Sequence, residues 1–396
     1  MVTITTNQSW FSRIGGAFTG VIIGLVLVVV GVWALWWNEG RAVNTERSLT
    51  EGSKLVLSVP AATVSPANEG KLIHTSGQLV IAEPLTDPDF AITAPGVRLT
   101  RTAEMYQWVE KSESETRNKL GGGTETVTTY TYSKEWKSGR EDSSSFQEAG
   151  HDNPEMTVEG TEIKAPSGTL GGFTVGENVM DQLDDAQAVP ITDAQLEDIQ
   201  QAVGSGREVS VSANHINFGD PAKPNVGDMR ISYTVVPAGP ISVVGAQAGN
   251  SFAPYQTKAH DALLMVQRGT VAAAAMFKTA QDNNRVMTWV IRVAGIVGLM
   301  IGFGLIMAPI GVLADVIPFL GSIARLGTGI IGFVLAIVVG FVTIAIAWFV
   351  VRPILSIILV VIALGTFLAF ARWGHKKDKA RAADAAAAPA PAAPAA

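Results

Sequence analysis

The feature that most limits this chain's fold is residues 14–37, which carry no charge and run straight into Asn38-Glu39-Gly40-Arg41-Ala42. A helix of about 20 apolar residues spans the hydrocarbon core of a bilayer, so this stretch predicts a membrane anchor. A secretory leader would have a shorter apolar core of about 7–15 residues ending in small residues at a cleavage site. Here Trp33, Trp36 and Trp37 stand at that end instead. Indole rings favour the headgroup level, which marks the outer end of a retained anchor.

The remaining apolar residues crowd into the other end of the chain, in runs 287–309, 326–351 and 354–370. Pro309 and Pro318 bracket an apolar connector carrying Asp315, which reads as an interfacial or re-entrant turn. Arg352-Pro353 separates the last two runs so tightly that they predict a helical hairpin. The expectation is four transmembrane helices, one N-terminal and three C-terminal. Between spans 1 and 2 lies a large, strand-rich domain, so the fold class is α+β. The segments are a short cytoplasmic N-terminus (1–13), helix 1 (14–37), the extracytoplasmic domain (38–286), helices 2–4 (287–371) and a tail (372–396).

Charge supports this orientation. Residues 38–285 hold 32 acidic and 20 basic side chains, a balance of −12, against +6 for the rest of a chain whose net charge is −6. Basic residues are retained on the cytoplasmic side, which predicts both termini inside and the acidic middle outside. An acidic exported domain is a poor nucleic-acid binder. The tail places Arg372, Lys376, Lys377, Lys379 and Arg381 beside the last span, where they set topology or meet anionic headgroups at about 1 kcal/mol per charge. Residues 382–396 are Ala/Pro-rich and low in complexity. Their composition suggests a bacterial source, hence an inner membrane with the domain periplasmic.

Gly16, Gly20, Gly24 and Gly31 recur at spacings of four and seven on one helix face. Small residues at such spacing let helix backbones approach closely in lipid, either within the chain or between copies.

In the middle of the chain, runs 55–59, 71–81, 97–111, 124–136, 208–217, 229–236 and 241–244 read as strands between turn residues. Residues 97–111 and 124–136 form the clearest hairpin, around Gly121-Gly122-Gly123. Alternation puts Tyr106 and Trp108 on one face of the first strand, and Tyr130, Tyr132 and Trp136 on one face of the second. A turn centred near Gly121 makes those faces coincide. Cross-strand aromatic packing then stabilises the hairpin by about 0.2–1 kcal/mol per pair, with an aromatic ligand cage as the competing reading. Thr192 and Gln195 predict a capping box opening a helix that ends near Gly204. From Thr257 a helical pattern, weakened only by Gly269, leads towards the second span.

No catalytic constellation emerges. The chain has no cysteine, which excludes disulfides and thiolate chemistry. Tyr106, His151 and Asp152 are the only catalytic candidates, while His74, His215, His260 and His375 are scattered. No metal or cofactor site is read. Arg292 and Arg352 lie close enough to span ends to snorkel to the interface. The four apolar runs contain no acidic residue, which weakens a proton or ion pathway.

The residues also carry a resemblance. Asn38, Glu39, Gly40 and Arg41 open it, followed by Tyr106, Gln107 and Trp108, then by His151, Asn153 and Pro154. Thr288-Trp289 with Arg292, Trp348, Arg352 and Pro353 complete it. The chain resembles the LUMA, or transmembrane protein 43, family, known in animals as four-span proteins of the endoplasmic reticulum and inner nuclear membrane. The resemblance implies a non-enzymatic protein that self-associates and organises membrane complexes. Animal lamina partners are not carried over. The expected function is therefore a membrane scaffold and homo-oligomer in the lipid bilayer, with a channel, transporter or lipid-handling protein as the alternative.

Overall fold

The computed structural model describes the chain except residues 205, 207, 317, 355, 356 and 358–396. The described residues form an α+β protein with two compact units: residues 1–19, 44–287 and 308–327 make the first, and residues 20–43, 288–307 and those from 328 onward the second. Among the described residues, three helices are long and apolar enough to cross a membrane. They are α1 (Trp10–Leu55), the helix Ala273–Ala314 and the helix Pro318–Val351. Most of the expected fourth span, 354–370, and all of the basic cluster 372–381 lie outside the described residues.

In the first unit, six strands carry most of the architecture: β1 (Val2–Gln8), β2 (Leu72–Val80), β3 (Arg98–Asn118), β4 (Thr124–Lys137), β5 (Met229–Val236) and β6 (Gly239–Ala248). One sheet has the order β1-β4-β3-β5, extended by short strands at His215–Phe218 and Ser210–Ser212. A second sheet is built around the antiparallel pair β2 and β6. Alternating side chains of both sheets meet in one buried cluster that includes Ile73, Leu79, Leu99, Met105, Ile231, Tyr233, Ile241 and Val243.

The β3–β4 hairpin has the expected register. Tyr106 faces Trp136, Glu110 faces Tyr132, and Asn118 faces Thr124, so the turn centres on Gly121. Gly121 (φ +87°) and Gly122 (φ +82°) take left-handed conformations that only glycine adopts freely. The Gln195 side chain accepts from the Thr192 backbone N–H at 2.9 Å. Helix α2 (Leu196–Val203) follows that capping turn and stops at Gly204 (φ +86°).

Several elements differ from the sequence reading. Residues 2–8 form β1, which pairs with β4 from Val2 opposite Tyr130 to Gln8 opposite Thr124. Helix α1 does not stop at Trp37 but runs on to Leu55. Residues 38–55 contain no proline, and Leu49 joins Leu72, Val244, Leu263, Met276 and Phe277 in a second buried cluster. Gly52 makes that approach possible, since a Cβ there would meet Leu263 Cδ1 at 2.5 Å. The strand expected at 55–59 shrinks to Leu57–Ser58.

The helical reading from Thr257 is also corrected. Short strands occupy Tyr255–Gln256, Ala262–Leu263 and Met265–Arg268, and α3 (Ala273–Ala314) begins only where the alanine run starts. From there α3 continues unbroken into the apolar run. It also passes through Pro309, so the connector shortens and α4 (Pro318–Val351) follows close behind. A proline inside a helix removes one backbone hydrogen bond, and the helix continues past Pro309 to Ala314.

In the second unit, Leu35 of α1, Leu299 of α3 and Ala336 of α4 form a small buried cluster. Glycine governs its closest approaches. A Cβ on Gly24 would stand 2.6 Å from the Gly302 carbonyl oxygen, and one on Gly31 would stand 3.0 Å from Leu299 Cδ2. Gly20 faces Leu305 more loosely, at 3.8 Å, and around Gly16 nothing described lies within 4 Å. Gly20, Gly24 and Gly31 therefore pack against α3 of the same chain.

Candidate functional site

Glu39 lies two residues beyond the apolar run of α1 and is 2% exposed. Its two carboxylate oxygens accept from Arg292 of α3, Nε to Oε1 at 2.7 Å and an Nη2 bond to Oε2 at 2.8 Å. Trp348 of α4 donates its indole N–H to Oε2 at 2.7 Å. The Arg292 guanidinium also lies 5.0 Å from the Trp289 ring centroid and 5.7 Å from that of Trp348. Three helices thus converge on one carboxylate through a bidentate ion pair, an indole hydrogen bond and cation–π contacts.

Neighbouring residues extend the knot. Asn38 is fully buried and donates to the Thr288 carbonyl at 3.1 Å. Arg41 donates to Asn38 Oδ1 and to Thr288 Oγ1, each at 3.1 Å. Asn38, Glu39, Arg41, Arg292 and Trp348, widely separated in sequence, are thereby brought together. Gly40 stands among them in α1, with no described side chain within 4 Å of a Cβ built on it. Arg352 continues the backbone pattern of α4, its N–H bonding the Trp348 carbonyl at 2.7 Å, and Pro353 follows.

Arg292 therefore does not snorkel. Its side chain is 14% exposed and neutralised in place. The sequence reading missed this because the apolar run ends at Trp37 and the helix does not. Opposite charges at matching depths, Glu39 just past one apolar run and Arg292 just inside the next, were the available signal. An isolated charge at this depth is costly, and pairing with satisfied hydrogen bonds removes most of the penalty.

A second group of singled-out residues meets in the first unit. Gln107 is fully buried; it donates to the Gly139 carbonyl at 2.7 Å and accepts from the Glu141 N–H at 2.7 Å. Asn153 accepts from the Trp108 N–H at 2.8 Å and donates to the Trp108 carbonyl at 2.9 Å, so its amide mimics a neighbouring strand. His151 stacks on Tyr132, with ring centroids 4.0 Å apart, and meets Trp108 edge-on at 4.5 Å. The Tyr132 hydroxyl donates to Glu110 at 2.5 Å. Partial burial and that hydrogen bond push the Tyr132 phenol up to about 12. The Pro154 carbonyl accepts from Arg140 at 3.1 Å. Together these contacts clasp the loop 139–154 onto β3.

Tyr106 is not part of a catalytic arrangement with His151 and Asp152. It packs on Trp136 at 5.3 Å, Asp152 is exposed, and His151 Nδ1 is 3.1 Å from the Glu148 carbonyl. The aromatic side chains are filled by one another, which is the cross-strand packing expected of the hairpin.

Two further buried ion-pair clusters, one around Arg101 and one around Asp315, have partners that the sequence reading did not foresee. Arg101 pairs with Asp87 at 2.8 Å and Asp89 at 2.9 Å, and the Tyr233 hydroxyl donates to Asp87 at 2.7 Å. Burial, foremost, and the Asp87 hydrogen bond push the Tyr233 phenol upward. A cavity of about 550 Å³ beside Arg101 is lined also by Ser138, Arg140, Glu155 and Glu159. Asp315 is fully buried and pairs with Arg13 at 2.5 Å and with Arg325. Arg13 also bonds the Gly122 carbonyl, and Trp10 donates to the Val312 carbonyl at 2.9 Å. No group of metal-binding side chains occurs among the described residues.

Apolar helices joined by a buried ion pair, together with a separate strand-rich unit, define an integral membrane protein. Its relatives agree. The family model for transmembrane protein 43 matches residues 105–353. Transmembrane protein 43 of Mus musculus is 32% identical over 377 residues, covering 92% of each chain. The Homo sapiens protein is 30% identical over 377 residues with the same coverage. A Drosophila melanogaster homologue is 29% identical over 364 residues, covering 89% of this chain and 94% of the relative. The chain belongs to the transmembrane protein 43 family. No solved structure matches it.

Proposed function

We propose that this protein is a non-enzymatic membrane scaffold that self-associates and holds other membrane components in place. The observation that carries the reading is the Glu39–Arg292–Trp348 knot, which ties α1, α3 and α4 at one depth. A buried pair of this kind adds little net stability over an apolar contact but fixes a single arrangement. A platform on which partners assemble needs such a fixed arrangement. Among the described residues, Arg292 and Trp348 donate three hydrogen bonds to Glu39, which supports a packing role for the carboxylate.

Gly20, Gly24 and Gly31 pack against α3, which supports a role for the glycine face in folding of the chain. The basic residues at 372–381 support an inner-membrane placement with the C-terminal flank facing the cytoplasm.

Native mass spectrometry of protein released from mild detergent tests the proposal. A defined multiple of the 41.7 kDa chain is expected. A single copy carrying one stoichiometric lipid would overturn the scaffold and support lipid handling.

A further inference from the structure

We infer that copies of this chain join through the ribbon β1-β4-β3, the outer edge of β1 in one copy pairing with the outer edge of β3 in the next. The inference rests on the self-association reading and assigns it a surface.

Three observations support it. First, the ribbon has two open edges at one level: Val2 faces Tyr130, which faces Ser112, and Gln8 faces Thr124, which faces Asn118. A head-to-tail contact closes into a ring only if rotation alone relates the copies, so the two edges must stand at equal height. Seven residues on each side meet that condition.

Second, backbone direction is settled by hydrogen bonds. The Tyr106 N–H bonds the Asp228 carbonyl, and Trp108 bonds Asn153, so even-numbered residues of β3 point away from β4. Beyond Asn153, Ser112, Ser114 and Thr116 face no strand among the described residues. By the same alternation, Thr3, Thr5 and Asn7 of β1 face outward. Strands β1 and β3 run in the same direction, and in a parallel ladder Thr5 would bond between Ser114 and Thr116, directly opposite Glu115.

Third, the β1 edge lacks the usual protection. Neither edge contains proline, and β1 carries no charged side chain. β1 can therefore approach Glu113, Glu115 and Arg117 without repulsion. A two-fold pairing of β3 with itself over the same residues would set Glu115 against Glu115, which is unfavourable.

The chain contains no cysteine, so a disulfide can be introduced cleanly. In Thr5→Cys/Glu115→Cys the two positions of one chain are separated by β4, about 9.6 Å at two strand spacings. That exceeds the ~7 Å limit for a disulfide, so any bond formed joins two copies. Both positions are exposed. Mild oxidation in detergent should give a reducible ladder of dimers and larger species, with each single variant remaining monomeric on the gel. No ladder from protein whose native mass shows several copies would overturn the edge assignment alone. A single-copy native mass would remove the self-association reading and the inference with it. Dimers from Glu115→Cys alone would show two-fold edge pairing and overturn the head-to-tail arrangement.

Discussion

Asn153 shows how much one side chain can hold. It is 5% exposed, and its amide bonds both backbone groups of Trp108 as well as the Glu141 carbonyl. Alanine there leaves a buried N–H and carbonyl unpaired, at about 1–3 kcal/mol for each such group. Asn153→Ala should therefore free the loop 139–154 from β3 and leave the rest of the sheet intact. Limited proteolysis checks this: cleavage within the loop should rise well above that of the parent, and unchanged cleavage would count against the clasp. Sequence alone pointed to Asn153 as part of a motif, but its partner is a backbone 45 residues away, which no local pattern encodes.

At the scale of elements, α1 meets α3 through glycine. Gly24→Ile places a branched side chain where even a Cβ would stand 2.6 Å from the Gly302 carbonyl oxygen, and both backbones must part. At Gly16 an added Cβ meets nothing described within 4 Å, so Gly16→Ile is the control. The first variant should yield little monodisperse protein in detergent and the second a near-normal yield, as read by size-exclusion chromatography. Equal yields would contradict the packing. The glycine spacing was legible in the sequence because it is a local period, and so was the β3–β4 register, which follows from alternation about Gly121. The reach of α1 to Leu55 was not. An apolar run reports where lipid is favoured, whereas a helix ends where its capping and packing end, here beyond Gly52 against Leu263 and Phe277. Strand β1 was missed for a related reason: seven Thr-rich residues gain their order from β4, more than 100 positions away.

For the whole molecule, the pairing of β1 with β4 has a consequence for topology. The charge-based orientation separates residues 1–13 from residues 38–286 across the bilayer, whereas the register sets Thr3 opposite Thr129. Hydrogen-bonded strands expose both positions to the same compartment. A membrane-impermeant maleimide should therefore label Thr3→Cys and Thr129→Cys from the same side, and labelling from opposite sides would exclude the pairing in the membrane. On this reading Glu39 and Arg292 act as one unit that ties the spans together. A thermal-unfolding cycle in detergent on Glu39→Gln, Arg292→Met and the double variant tests it most directly. Removing one partner of a buried pair costs about 3–5 kcal/mol, because the other charge is left uncompensated. The double variant should lose much less than the summed single losses, the signature of direct coupling. Additive losses would show that Glu39 and Arg292 do not interact, and the knot would not hold the spans.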